Sequence, residues 1–296
     1  MSRIEEALGK AAELRNRVSQ PGTSSPTENE KLEQRHRSTL EEALEKAARF
    51  KMEGGRQTSE FQPIPILRSV SVTDRLVVAL KEPSSPMAEE YRKLKSSIVK
   101  LTKTDPLKNM LMITSSVANE GKSLTALNLA VTLAQEYDHT VLLVDADLRK
   151  PSLHRYLGIS DCLGLSECLL EGVPLRDVLI RTDIGKLSLL PAGRPVTSPA
   201  ELFSSKKIRE FFHEVKHRYP DRYVIVDTAP VLPFAETRSM IALIDGIVLV
   251  IKEGSVSLQK VLETLDCLKG ASILGVVYNQ AAVDAYSSTF RYDGCG

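Results

Sequence analysis

No apolar run in this chain approaches the about 20 residues needed to span a bilayer. The longest candidates, 141–144 and 247–251, have the length of buried strands. The N-terminus lacks the apolar core of a signal peptide. The expected location is therefore the cytoplasm, and attachment at the inner face of the membrane needs a partner or a surface-lying helix. Cysteine is scarce. Cys162, Cys168, Cys267 and Cys295 form no C-x-x-C pair, and no His/Cys cluster has zinc spacing. Free thiols in a reducing compartment are the expectation. Net charge is only +1, which excludes a general field toward nucleic acid, so no nucleic-acid partner is expected. The 42% hydrophobic and 26% charged content suffices for one large α/β domain with appendages.

Residues 1–60 differ from the rest in being rich in Glu, Lys, Arg and Ala. They hold an imperfect repeat, with 4–12 matching 40–48. Each copy sets apolar residues at helical spacing (Ile4, Leu8, Ala11 and Leu40, Leu44, Ala47). Glu6 with Lys10 and Glu42 with Lys46 are i, i+4 pairs in the favourable order. The repeat predicts two short amphipathic helices separated by flexible linkers, and they are the candidate tether to a membrane protein. Residues 61–85 carry scattered prolines and read as extended, and a helix begins near Pro86 and continues through 87–100. From Asn109, short apolar runs at 110–114, 141–144, 187–190, 223–226, 247–251 and 275–278 alternate with helical stretches. That alternation predicts an α/β fold with a mainly parallel sheet and helices on both faces. The expected organisation is 1–60 as N-terminal extension, 61–106 as extended segment and helix, 107–280 as nucleotide-binding domain, and 281–296 as tail.

The sharpest signal is SSVANEGKS at 115–123, which follows a strand and opens a helix. That is the setting of a phosphate-binding loop. Backbone N–H groups at a helix N-terminus, helped by the helix dipole, surround phosphate oxygens. Ser116, Asn119, Glu120, Gly121, Lys122, Ser123 and Leu124 are the candidate nucleotide-binding residues. Lys122 would reach the β- and γ-phosphates of ATP, and Ser123 would offer its hydroxyl to Mg²⁺. Ser116 occupies the first glycine position of G-x-x-x-x-G-K-[ST].

Two apolar strands end in carboxylates, one in Asp145 and Asp147, the other in Asp227. Ligands of open α/β sheets bind at the carboxyl ends of the strands, so the three acids are expected to converge on the phosphate loop. Mg²⁺ takes one or two carboxylates with phosphates and waters. Asp227 is the expected magnesium-side carboxylate of a P-loop nucleotidase, with Asp145 a further metal candidate. Asp145 or Asp147 would accept the proton of an attacking hydroxyl.

These segments resemble the bacterial tyrosine autokinases of polysaccharide synthesis and export. The stretch 141–154 (VLLVDADLRKPSLH) is similar to their second Walker-type motif, 115–123 to their first, and 224–232 (VIVDTAPVL) to their Walker B motif. Residues 189–202 resemble their Pro-Ala-Gly segment, and 86–98 the helix preceding the nucleotide domain. The lead at 1–14 looks like the exosortase-associated type. The resemblance implies ATP-dependent tyrosine phosphorylation with Lys122, Asp145 and Asp147 as catalytic residues. It places Asn279 near the base, and it implies a membrane-bound chain-length or copolymerase partner. It also implies a homo-oligomer, with the E-x-x-R-x-x-R contact motif appearing here as Glu89, Arg92 and Lys95. Other departures are Asn119 for a loop glycine, and Glu236 where the family has Asp. Tyr286 and Tyr292 of the sparse tail are the candidate phosphoacceptors, while Tyr278, ending an apolar strand, reads as core.

One alternative is a positioning ATPase of the ParA/MinD kind, a switch without kinase activity. Such proteins usually carry a lysine where this chain has Ser116. A non-enzymatic nucleotide sensor is a second alternative, disfavoured by the intact set Lys122, Asp145, Asp147 and Asp227. A eukaryotic-type kinase is excluded, since neither H-R-D-L-x-x-x-N nor D-F-G occurs.

Overall fold

The computed structural model describes residues 72, 74–103, 107–136, 138–160, 162–218 and 222–282. The chain divides into a unit over Met1–Pro63 and a unit over Ile64–Gly296, and every described residue lies in the second. The duplicated N-terminal helices and the tail tyrosines Tyr286 and Tyr292 lie outside the described residues.

The stretch 61–85, expected to be extended, instead holds a turn of helix, α1 (Val78–Lys81), where burial of Val77, Val78 and Ala79 against the core outweighs the scattered prolines, and it leads into α2 (Pro86–Thr102). Ser85 caps α2 by accepting the Ala88 N–H at 3.1 Å, and Pro86 fills the first helical position, where its missing N–H costs nothing. Then follow β1 (Met110–Ser115), α3 (Lys122–Ala134), β2 (Thr140–Asp145), α4 (Leu153–Tyr156), α5 (Leu165–Leu170), α6 (Leu175–Val178), β3 (Ile180–Arg181) and β4 (Leu187–Leu190). The last part holds α7 (Pro199–Ser204), α8 (Lys206–Arg218), β5 (Arg222–Asp227), α9 (Ala235–Met240), β6 (Gly246–Lys252), α10 (Leu258–Cys267) and β7 (Ile273–Asn279).

Among the described residues the strands form one seven-stranded sheet in the order β3-β4-β2-β5-β1-β6-β7. All neighbours are parallel except β3, which runs antiparallel to β4. The two-residue β3 is too short to leave a periodic signal, and the sequence reading misses it. Strands β1, β2 and β5 are covered on both faces, which is why they read as continuous apolar runs instead of alternating ones. Leu111, Ile113, Leu143, Ile225, Val248 and Val250 face one core, against α3. Met112, Val144, Val226 and Leu249 face the other, against Phe203, Ile208 and Phe212. Each such fully buried aliphatic side chain contributes about 1.5–3 kcal/mol.

In α3 only Lys122 and Leu124 escape full burial. The helix is packed between the sheet and α2, and its one interior amide, Asn128, is satisfied there. Asn128 Oδ1 accepts the Ala79 N–H at 3.0 Å, and its Nδ2 donates to the carbonyls of Leu76 and Leu124 at 3.1 and 3.0 Å. This buried amide fixes the strap before α2 onto the helix that carries the phosphate loop.

On α2 the residues expected at a subunit contact have partners within the chain. Arg92 pairs with Glu89 at 2.6 Å and donates to the Pro83 carbonyl at 2.8 Å. Lys95 pairs with Glu136 just past the end of α3 at 2.5 Å.

The structure corrects the reading of Tyr278. It is 57% exposed, as is Val276 at 54%. An apolar run is buried on both faces only inside a sheet, and β7 is the last strand at one edge.

Candidate active site

The phosphate loop leaves β1 at Ser115 and enters α3 at Lys122. Asn119 has φ +68° and Gly121 φ +92°. Asn is one of the few side chains that adopts this region readily, which is why it stands where a glycine is usual. No side chain caps α3, so the first-turn N–H groups of Lys122, Ser123 and Leu124 are left to a ligand.

Glu120 has a structural task. It is fully buried, with Oε2 accepting the Val117 N–H at 2.8 Å and Oε1 within reach of the Lys252 N–H and the Ser255 hydroxyl at 3.3 and 3.4 Å. Its carboxylate closes the loop on itself and fastens it to the end of β6. Of the residues expected at the nucleotide, Glu120 can therefore offer only its backbone. Asn279 ends β7 and donates Nδ2 to the Glu120 carbonyl at 2.8 Å. It also fills the space beside Gly121, where a Cβ would come within 2.1 Å of that nitrogen.

Lys122 reaches Asp147 Oδ2 at 2.9 Å and stands 3.9 Å from Asp227 Oδ1. Its Nζ also lies 3.2 Å from the Ser123 hydroxyl. Burial opposes its charge, but Asp227, Asp147 and Asp145 more than offset this and hold its pKa above the ordinary lysine value. Asp227 is fully buried, and among the described residues neither carboxylate oxygen has a hydrogen-bond donor in bonding geometry. Burial pushes its pKa up to about 6, while the Lys122 ammonium and the Ser123 hydroxyl beside it pull the other way. Two orphaned carboxylate oxygens next to a serine hydroxyl fit a hard divalent cation. Among the described residues no three His, Cys, Asp or Glu side chains form a metal cage.

Asp145 differs from its expected metal role. Its Oδ2 accepts the N–H groups of Ser152 and Leu153 at 3.0 and 3.1 Å, and Oδ1 that of Asp147 at 3.3 Å. The carboxylate is committed to the loop that follows β2. Asp147 joins the same loop by accepting the Lys150 N–H on Oδ1 at 3.0 Å. The sequence reading places these two acids at the site but says nothing of this stapling. It also misses what Arg149 does: its guanidinium pairs with the buried Glu236 and lies 4.6 Å over the Phe234 ring. The unusual Glu236 is the signal that could have found this pair.

Burial and the charge of Asp227 push Asp145 up to about 7, against the pull of the Leu153 and Ser152 N–H groups. An unfolded aspartate titrates near 4, at about 3.9. Between those two pH values the folded chain keeps a proton that the unfolded chain has lost, so stability falls as pH rises through the window. The nucleotide-free protein should melt higher at about pH 5.5 than at about pH 8. Asp145→Asn should flatten that dependence. An unchanged slope in the variant, measured by calorimetry, contradicts the assignment.

Lysine, hydroxyl, carboxylates and uncapped N–H groups at the carboxyl edge of a mainly parallel sheet define a P-loop nucleotidase of the ParA type. The family model described as ParA, NUBPL iron-transfer P-loop NTPase, matches residues 106–290. The chain is 34% identical over 220 residues to the tyrosine-protein kinase YwqD of Bacillus subtilis (strain 168), covering 74% of this chain and 91% of that one. It is 30% identical over 215 residues to the putative tyrosine-protein kinase CapB of Staphylococcus aureus, covering 72% and 92%. The crystal structure of the chimerical protein CapA2B2 superposes with a TM-score of 0.64 at 30% identity, covering 73% of this chain and 94% of that one. Within the ParA-type P-loop nucleotidases, the chain belongs to the bacterial tyrosine-protein kinases.

Proposed function

We infer that this chain is an ATP-dependent protein-tyrosine kinase that phosphorylates copies of itself and thereby regulates exopolysaccharide synthesis or export. The observation that carries the chemistry is Lys122, held between Asp147 and Asp227 at the start of an uncapped helix. The family membership supplies tyrosine as acceptor.

The N–H groups of Lys122, Ser123 and Leu124 bind phosphate oxygens, and the Lys122 ammonium meets the charge that builds on the γ-phosphoryl group. Asp227 and the Ser123 hydroxyl would hold Mg²⁺, which would offset phosphate charge when bound. The acceptor phenol oxygen forms a bond to the γ-phosphorus as the bond to the ADP oxygen breaks, and ADP leaves with that electron pair. Asp147, beside Lys122, takes the phenol proton. Asp145 positions Asp147 through the loop it staples. Self-assembly through Glu89, Arg92 and Lys95 and a membrane-bound polysaccharide copolymerase as partner rest on the resemblance. Among the described residues no helix is long and apolar enough to cross a membrane.

Incubation with γ-labelled ATP tests the reading. Label on tyrosine is the expected result; free phosphate alone would mean a ParA-like switch, and neither would mean a sensor. Mass spectrometry should place the phosphate on Tyr286 and Tyr292. Each adds about −1.5 to −2 charges beside Asp284 and Asp293, so the modified tail is repelled from the acidic site and released. Equal labelling of a Tyr286→Phe, Tyr292→Phe variant removes the tail as acceptor and turns attention to the exposed Tyr278.

A further inference from the structure

The catalytic carboxylates are acidic, yet the loop hung from them is basic. Residues 148–155 contain Arg149, Lys150, His154 and Arg155 and no acid. The loop has no regular structure before α4, and its shape is set from inside the site. Asp147 Oδ1 holds the Lys150 N–H, and Asp145 Oδ2 holds those of Ser152 and Leu153. Arg155 folds back across the loop, its Nη2 donating to the Pro151 carbonyl at 3.2 Å. Arg149 is taken up by Glu236 and Phe234. Lys150 and Arg155 are both exposed and have no ion-pair partner among the described residues. Two unneutralised cations therefore sit on the loop and the helical turn α4 that follows it, a segment whose backbone is fixed to the two acids beside the transferred phosphoryl group.

We propose that this loop is the acceptor-docking lip of the kinase, and that Lys150 and Arg155 select tyrosines flanked by carboxylates. The proposal rests on the kinase reading. A tyrosine must approach an anionic triphosphate and three aspartates, so a bare acidic peptide is repelled from the interior. A cationic lip at the entrance reverses that for the flanking residues alone, while the neutral phenol goes in. The tail fits: Asp284 lies two residues before Tyr286, and Asp293 directly follows Tyr292. Because the lip is stapled through backbone N–H groups, its backbone does not depend on the side chains of Lys150 and Arg155, which can be replaced without releasing it. Lys150 and Arg155 are specificity residues and leave the chemistry to Lys122 and Asp147.

The test uses the full chain with Mg-ATP and three synthetic peptides, each with one tyrosine flanked by Asp, Asn or Lys. The Asp peptide should have the lowest KM, about fivefold below the Asn peptide, as two exposed ion pairs provide. The preference should shrink as salt rises from about 50 to about 300 mM. The Lys150→Glu, Arg155→Glu variant should reverse the order and favour the Lys peptide, with the change in KM and not in kcat. Should that variant fail to fold, Lys150→Gln and Arg155→Gln should each remove part of the preference. Equal KM values for all three peptides in the wild type overturn the lip and leave the kinase standing, as does the same order in wild type and variants. No phosphotyrosine on any peptide or on the chain itself, with ATP still hydrolysed, overturns the kinase reading and the lip together.

Discussion

Replacing Lys122 by Met is expected to lower phosphotyrosine formation by about 10³-fold or more while leaving the fold intact. Among the described residues the ammonium is the one cation reaching the site's carboxylates, at 2.9 Å from Asp147 and 3.9 Å from Asp227. Its charge opposes the negative charge that grows on the phosphoryl oxygens during transfer. A methionine of similar length fills the space and supplies none of that charge. The same change should alter stability in a direction fixed by linkage. Without the cation, Asp145 and Asp227 face one another in a buried site, and like charges raise carboxylate pKa values. The folded chain would then hold extra protons to higher pH than the wild type. Lys122→Met should therefore cost little stability in mild acid, and the loss should grow as pH rises above neutrality. Immunodetection of phosphotyrosine, circular dichroism and melting curves across pH check both halves. Undiminished phosphotyrosine would falsify the site, and a pH-independent loss of stability would remove the charge argument.

The second large effect is expected from Gly121→Ala, a change of one methyl group. Gly121 has φ +92°, where an L residue costs of order 1–3 kcal/mol. Its Cβ would also come within 2.1 Å of Asn279 Nδ2, so that amide must leave the Glu120 carbonyl it now holds. Strain and lost anchoring act together on the N–H groups that receive the phosphates. A displacement of about 1 Å there lowers the transfer rate by about 10²-fold. The two causes separate in a double-mutant cycle. Asn279→Ala removes the clash and leaves the φ strain, so the double variant should be more stable than the sum of the single losses. Additive melting temperatures would show that the amide and the loop glycine are not coupled.

Much of this site was legible in the chain before any coordinates. Strand-to-helix context made Gly121-Lys122-Ser123 a phosphate loop, and apolar runs ending in Asp145 and Asp227 put carboxylates at the right end of the sheet. Both readings depend on local pattern, and the register agrees: Asp145 lies beside Asp227 across β2 and β5. The limits of the six expected strands moved by only a residue or two, while the helical turn at Val78–Lys81 and the two-residue β3 were not read. Some missed contacts are local, such as the staples of Asp145 and Asp147 on the loop after β2, which no hydrophobic period records; others join distant positions. Asn279 reaches Glu120 across 159 residues, and Glu236 reaches Arg149 across 87.

The sequence by itself determined the fold class, the phosphate loop and the identity of the acids, because burial period and turn chemistry are properties of neighbouring residues. Only the tertiary structure decided what those acids touch. It turned Asp145 toward the loop after β2, made Glu120 a brace, and left both oxygens of Asp227 without donors among the described residues. It also put Tyr278 at the surface, because exposure at a strand end follows from the order of strands in the sheet, and that order is fixed by packing across the whole chain.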